Sequence, residues 1–355
     1  MNFILESDQY TGLFLPEQVQ ELVGEPAWQL EESKRRLIDY YRQQAYQFVL
    51  PASIEYADAF LANSVADLDL QTFRLTDPYT GKMLAVRSDF TAQMVRIDAQ
   101  LQIDQSQQTS TTTKTSTKEQ VNRLCYGGEL LHTNAAKGLR FRNPVQVGIE
   151  LFGDGSISAD IEVVRHLLAS LDILGLSQVH LDLGHVGLLK PLLDEIDLSS
   201  PLSAQQKQVL FALIQAKNAT ELECLFDVLR VDALLKQVML ELMHCYGDIS
   251  VLQRAEAVLA AYTNEAARQA LAELRQFAEC LESSLGSVEL YFDLTELQGF
   301  SYHKGMIFSA ILPGVARPVA IGGRYSGLSP QRSATGFHIN LTHIVQLQEK
   351  EKSKA

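Results

Sequence analysis

ELQGFSYHKGMIF, Glu296 to Phe308, mixes aromatic and β-branched residues with two glycines. That composition predicts a strand, a tight turn and a second strand. Tyr302, His303 and Lys304 fall between Gly299 and Gly305, so the turn is expected to line a pocket. Such a pocket either runs chemistry on a ligand or senses one. Working outward, VELYFDLTEL precedes this stretch, and PVAIGG and ATGFHINL follow it, all with the short β-rich runs of strands. From about Ser199 to Ser287 the pattern changes. Segments such as AQQKQVLFALIQ and EAARQALAELRQFAECLESSL carry helical periodicity and no strand signal.

Strand signals also dominate before that block. FRLTDPYTGKMLAVR reads as a hairpin around a Pro-Tyr-Thr-Gly turn. VNRLCYGGELLHTN and PVQVGIELFGD are two strand-like runs around the basic segment AAKGLRFRN. Helices are expected over residues 27–48, over SDFTAQMVRIDAQL with Ser88 or Asp89 as N-cap, and over IEVVRHLLASLDILGL. The order of strands, helical block and strands again predicts an α+β protein. Residues 1–198 and 288–346 would form a mostly antiparallel sheet flanked by helices, with 199–287 as a helical insertion. QSQQTSTTTKTSTKEQ has no apolar residue to bury, so 105–120 is expected to be a mobile surface loop. Residues 347–355 read as a charged tail.

Composition narrows the function classes. Hydrophobic residues make up 46% and charged residues 21% of the 355, as in ordinary globular proteins. A net charge of −13 argues against a broad phosphate-binding surface, which needs an excess of Lys and Arg. Cys125, Cys224, Cys245 and Cys280 have neither CxxC spacing nor histidine partners at zinc-site spacing, so they read as reduced thiols and no metal is expected. No basic segment followed by an apolar block opens the chain, and no apolar run reaches membrane-spanning length. A cytoplasmic protein without membrane contact is expected.

Three clusters carry candidate chemistry: VRSDFTAQMVR (86–96), YGGELLHTN with PVQVGIELFG, and the opening stretch with IGGRYSGL (321–328) and ATGFHINLTHI. Together they resemble the catalytic core of histidyl-tRNA synthetases, which are class II aminoacyl-tRNA synthetases, over roughly residues 30 to 345. VRSDFTAQMVR is similar to that family's L-R-P-E-x-T-x-x-x-x-R segment, and the second cluster to motif 2 and the strand after it. ELQGFSYHKGMIF resembles the histidine-specific R-G-L-D-Y-Y-T-G-T-V-F, IGGRYSGL the run G-G-G-G-R-Y-D-G-L, and ATGFHINLTHIV motif 3. The motifs occur in the family's order and flank a helical insertion where the family has one.

The resemblance implies a class II fold and a histidine pocket. Asp89 falls where the family has an acid for the ligand's ammonium group, and Gln146 on a residue that helps hold the same end. Glu150 and Tyr302 fall on positions that engage the imidazole, and His303 takes the place of a second tyrosine. Arg324 lies in a pocket-lining segment and is carried as a site residue. Gln146 and Glu150 are four apart on a strand, hence on one face; without the resemblance they would read as a buried polar pair. Arg87 either holds Asp89 or another acid in place or touches a ligand, and His185 reads as a helix-start residue.

The nucleotide side departs from the family. The motif 2 arginine falls on His132 and its acid on Asn134. The motif 3 arginine falls on His343 and its preceding acid on Thr342. The histidine-specific arginine falls on Gln298. A histidine is mostly neutral near pH 7, and an amide cannot replace a bidentate guanidinium. Losing one preorganised donor to developing charge typically costs roughly 10²–10³ in rate. The anticodon-binding domain that follows motif 3 in the synthetases has no counterpart in the dozen residues after His343. These features are similar to an offshoot of that family, the regulatory subunits of short-form ATP phosphoribosyltransferases in histidine biosynthesis. That resemblance implies a non-catalytic dimer that joins catalytic subunits in a hetero-octamer, activates them and binds L-histidine as feedback signal. It implies no cofactor and no tRNA. The alternatives are a divergent ligase that activates an amino acid for a non-tRNA acceptor, and a tRNA-sensing module.

Overall fold

Pro26 in the first turn starts α1 (Glu25–Gln43), whose Leu30, Leu37 and Tyr41 form one buried face. The computed structural model describes residues 14–61, 66–109, 120–135, 139, 141–282, 288–297 and 302–352. After α1 come β1 (Gln47–Phe48), β2 (Ile54–Tyr56), α2 (Ala57–Leu61), α3 (Ala66–Gln71), β3 (Arg74–Thr76) and β4 (Met83–Val86). The strands β2, β4 and β3 form a small antiparallel sheet of their own. Then follow α4 (Thr91–Thr109), β5 (Asn122–Glu129), β6 (Val145–Phe152), α5 (Ile157–Ile173), β7 (His180–His185) and α6 (Val186–Ser199). The helical stretch comprises α7 (Ala204–Gln215), α8 (Ala219–Leu229), α9 (Ala233–Leu242), the two-residue strand β8 (Tyr246–Gly247), α10 (Ser250–Ala260) and α11 (Glu265–Glu282). The chain closes with β9 (Glu289–Asp293), β10 (His303–Ile311), β11 (Ala320–Ser326), β12 (Ser333–Asn340) and α12 (Leu341–Lys352).

One nine-stranded sheet organises the molecule, in the order β1-β5-β6-β12-β11-β10-β7-β9-β8. Its pairs are antiparallel except for β1 with β5 and β7 with β9. The expected mostly antiparallel α+β architecture is therefore what the chain adopts. Side-chain alternation sorts the two faces. On the back, Val147, Ile149 and Leu151 of β6 and Phe337 and Ile339 of β12 join a core shared with α1, α5 and α12. Leu210, Phe226, Met239 and Phe277 of the helical stretch belong to the same core, so these helices are packed onto the sheet. On the front, Leu124, Tyr126, Phe152, Tyr325 and Ala334 pack under Phe90, Met94 and Val95.

Several expectations need correction. The opening stretch is not a hairpin: β7 lies between β9 and β10, so the connection must cross a strand. Glu296 and Leu297 lie outside any strand, and Gln298 to Ser301 lie outside the described residues. Helix α4 runs through Gln105 to Thr109, into the segment expected to be loop; 110–119 lie outside the described residues. The charged tail is likewise helical as far as Lys352, because α12 continues from its buried start at Leu341, Ile344 and Val345. The helical stretch contributes an edge strand, Tyr246–Gly247, too short to leave a periodic signal.

Two polar ties anchor the front. Arg332 donates two bonds to Asp98 of α4, at 2.8 and 2.7 Å, and both side chains are almost fully buried. Asn122 donates to the same carboxylate at 2.6 Å. Breaking a buried pair leaves one charge uncompensated, so Arg332→Ala should destabilise the chain by about 3–5 kcal/mol in chemical denaturation. The double change Arg332→Met with Asp98→Leu should recover most of that loss; a single-variant cost near zero would contradict this reading.

Candidate ligand-binding site

The front of the sheet is cleared of side chains by glycines. Gly148 on β6, Gly336 on β12 and Gly323 on β11 stand side by side or in adjacent register with Glu150. A methyl group on Gly336 would collide with the Glu150 carboxylate, and one on Gly323 would meet the His303 ring at 2.8 Å. The space left is a cavity of about 180 Å³, the size of a small amino acid rather than of a nucleotide. Asp89, Thr91, Glu150, Tyr302, His303, Tyr325 and His338 supply its polar walls.

Glu150 is 1% exposed. Its Oε1 accepts from Thr91 Oγ1 at 2.9 Å and from Tyr126 Oη at 3.4 Å, and its Oε2 from Tyr325 Oη at 2.7 Å. Burial outweighs these bonds and pushes the carboxyl up to about 8. Glu150 is therefore protonated at neutral pH, its own O–H donating to one of these three hydroxyls. Tyr302 stacks on Tyr325, ring centroids 4.9 Å apart, and its buried hydroxyl has no hydrogen-bond partner among the described residues. A hydroxyl and a buried carboxyl side by side can both hydrogen-bond to one polar ligand. His303 Nδ1 donates to the Arg324 carbonyl at 3.3 Å, and burial lowers its ring to about 4. It is a neutral ring at physiological pH.

Asp89 sits at the mouth. Its Oδ1 accepts from the Ala92 amide at 2.8 Å, capping the start of α4, and burial raises its carboxyl. Beyond it opens a larger cavity of about 650 Å³, which shares Leu68, Asp89, Ile321 and His338 with the small one. Gln146 lines this larger cavity and not the smaller. So do His132, His343 and Arg317. His132 Nε2 donates to the Ser88 carbonyl at 2.8 Å, and burial lowers both His132 and His343 below the ordinary imidazole value. Two of the vacated arginine positions thus carry uncharged rings at neutral pH. The third, Gln298, lies outside the described residues.

Arg324 is not where it was expected. It lines neither cavity; its guanidinium pairs with Asp160 of α5 and, at 3.1 Å, with Glu273 of α11. Thr335 Oγ1 donates to the same Asp160 at 2.6 Å. The reason is alternation along β11: Arg324 points to the back of the sheet and Tyr325 to the front. Tyr325 is the site residue that sequence reading passed over, although it stands in the same quoted segment. Thr91 and Tyr126 were missed as well, each in a quoted motif but without a charge to draw notice. Arg87 donates to the carbonyls of Pro51 and Glu129 and packs on Phe90, so it braces the front wall. His185 accepts from the Gly187 amide and caps α6, the helix-start role expected of it.

This arrangement, a glycine-floored cavity with a buried glutamate on an antiparallel sheet, defines a class II aminoacyl-tRNA synthetase core of the histidyl type. The family described as histidyl-tRNA synthetase matches residues 18–344. More narrowly, the chain belongs to the family of ATP phosphoribosyltransferase regulatory subunits. It is 38% identical over 334 residues to the one from Teredinibacter turnerae, covering 93% of this chain and 80% of that relative. A crystal structure described as an ATP phosphoribosyltransferase regulatory subunit/histidyl-tRNA synthetase from Bacillus halodurans superposes with a TM-score of 0.77 at 26% identity. It covers 94% of this chain and 82% of that one. A chain of an ATP phosphoribosyl transferase complex from Thermotoga maritima shares the fold, with a TM-score of 0.61 at 17% identity over 87% of this chain and 97% of that one. Among the described residues no helix is long and apolar enough to cross a membrane, and no cluster of three metal-ligating side chains occurs.

The protonation of Glu150 gives a stability test. Its carboxyl binds a proton more tightly folded, near pH 8, than at its ordinary value of 4.5. The stability contributed by that proton is full below about pH 4.5 and is lost as pH rises through about 8. Glu150→Gln removes the ionisation. Its melting temperature should exceed that of the wild type by a few degrees at pH 9, with little difference at pH 5. The same offset at both pH values would contradict the assignment.

Proposed function

We propose that this chain assembles with short-form ATP phosphoribosyltransferase catalytic subunits, raises their turnover and binds L-histidine in the small cavity as the feedback signal. The reaction itself belongs to the partner chain. The observation that carries this reading is the pairing of a buried, proton-bearing Glu150 with the Tyr302 hydroxyl, unpartnered among the described residues, in a cavity sized for an amino acid. An imidazole has one nitrogen that donates and one that accepts, and these two groups can satisfy both. Asp89 at the mouth meets the ammonium group. The neutral rings of His132 and His343 stand where adenylation would need fixed cations, so the pocket recognises histidine without activating it. No metal, prosthetic group or tRNA is part of this reading. We place the chain in the cytoplasm, as a dimer within a hetero-octamer.

Inhibition is then a coupling free energy between the histidine cavity and a catalytic site in another subunit. Mixing the chain with a cognate catalytic subunit should give a stable complex, faster turnover and inhibition by histidine. Absence of a complex at micromolar concentrations would contradict the assignment, and pyrophosphate exchange dependent on ATP and an amino acid would restore the ligase alternative. Within the complex, Glu150→Ala and Tyr302→Phe should each raise the histidine concentration for half-inhibition by roughly tenfold to a hundredfold, the range of a lost hydrogen bond to a charged or polar ligand. Assembly should be unchanged in both; loss of assembly with intact histidine sensitivity would count against this site.

A further inference from the structure

The pocket as described leaves one end of the ligand unaccounted for. The resemblance implies that the histidine-specific arginine, besides its place on the nucleotide side, is the usual cation for the ligand's carboxylate, and this chain has Gln298 there. Resting on the reading of the small cavity as a histidine site, the position of that carboxylate follows from covalent geometry. Ammonium and carboxylate share one carbon, so with the ammonium at Asp89 the carboxylate lies at the opening between the two cavities. Four residues border both: Leu68, Asp89, Ile321 and His338. Two are apolar and one is an acid. His338 alone among them can donate a hydrogen bond.

His338 stands on the site face of β12, two residues from Gly336, opposite Gly148 on β6 and Ile321 on β11. It has no hydrogen-bond partner among the described residues, so a ring N–H is free to donate. The neighbouring cations and donors serve less well. His132 spends its donor on the Ser88 carbonyl, which leaves its other nitrogen as a lone pair while the ring is neutral. Arg317, Asn340 and His343 border the larger cavity only. We propose that His338 donates to the carboxylate of the bound amino acid and thereby selects histidine over analogues that lack this group. Burial and the nearby His132 lower the His338 ring to about 4, so it acts as a neutral donor.

The test is calorimetric titration of the full chain with L-histidine and with L-histidinamide, whose carboxylate is replaced by an uncharged amide. His338→Ala should weaken histidine by roughly tenfold and leave histidinamide within about twofold of its wild-type value. His338→Asn, which restores an N–H donor, should recover part of the histidine affinity. Equal weakening of both ligands, or no weakening of histidine, overturns the proposal. So does a carboxylate-selective loss in Arg317→Ala instead, which would place the carboxylate in the larger cavity. If neither ligand binds the wild-type chain, the histidine reading of the cavity fails first.

Discussion

A carboxyl group buried in the middle of a β-sheet is unfavourable unless hydrogen-bonded, by several kcal/mol in order of magnitude. Glu150 imposes that constraint on everything around it. Thr91 must come from the first turn of α4, Tyr126 from β5 and Tyr325 from β11, so three elements are fixed relative to β6 by one side chain. The glycines at 148 and 336 follow from the same demand, because Tyr126 and the carboxylate itself occupy volume that their side chains would need, while Gly323 makes room for the His303 ring. Such a group does not serve stability, since its high pKa makes folding less favourable as the pH rises.

The two cavities differ in the groups they offer. The small one holds directional groups, Glu150 and Tyr302, of the kind the proposed imidazole ligand would need. The larger one has the room for a nucleotide but lacks fixed charge at the positions that matter: His132 donates to a backbone carbonyl, and His343 is held below its ordinary pKa. A neutral ring offers one donor without Coulombic pull on a phosphate, which is why the proposed reading is one of sensing rather than activation.

Much of this was legible in the sequence because local rules and site chemistry agree. The period of two along PVQVGIELFG placed Gln146 and Glu150 on one face, and Asp89 was recognisable as a helix-capping acid. What failed did so for tertiary reasons. Nothing local in ELQGFSYHKGMIF reveals that β7 separates β9 from β10, so a crossing connection reads as a hairpin. Arg324 drew notice by its charge, whereas alternation along β11 sends it to Asp160 and puts Tyr325 in the site. The start of the polar low-complexity segment continues α4 to Thr109, because propagating an existing helix is cheap once its nucleus has formed. Gln146 illustrates a finer limit: a shared face is not a shared cavity.

The most direct test of the central claim is a crystal structure of the chain grown with L-histidine and ATP together. The account predicts histidine in the small cavity, its ring within hydrogen-bonding distance of Glu150 and Tyr302, and no adenylate formed. Histidine bound elsewhere on the chain, or a histidyl-adenylate spanning the two cavities, would contradict it.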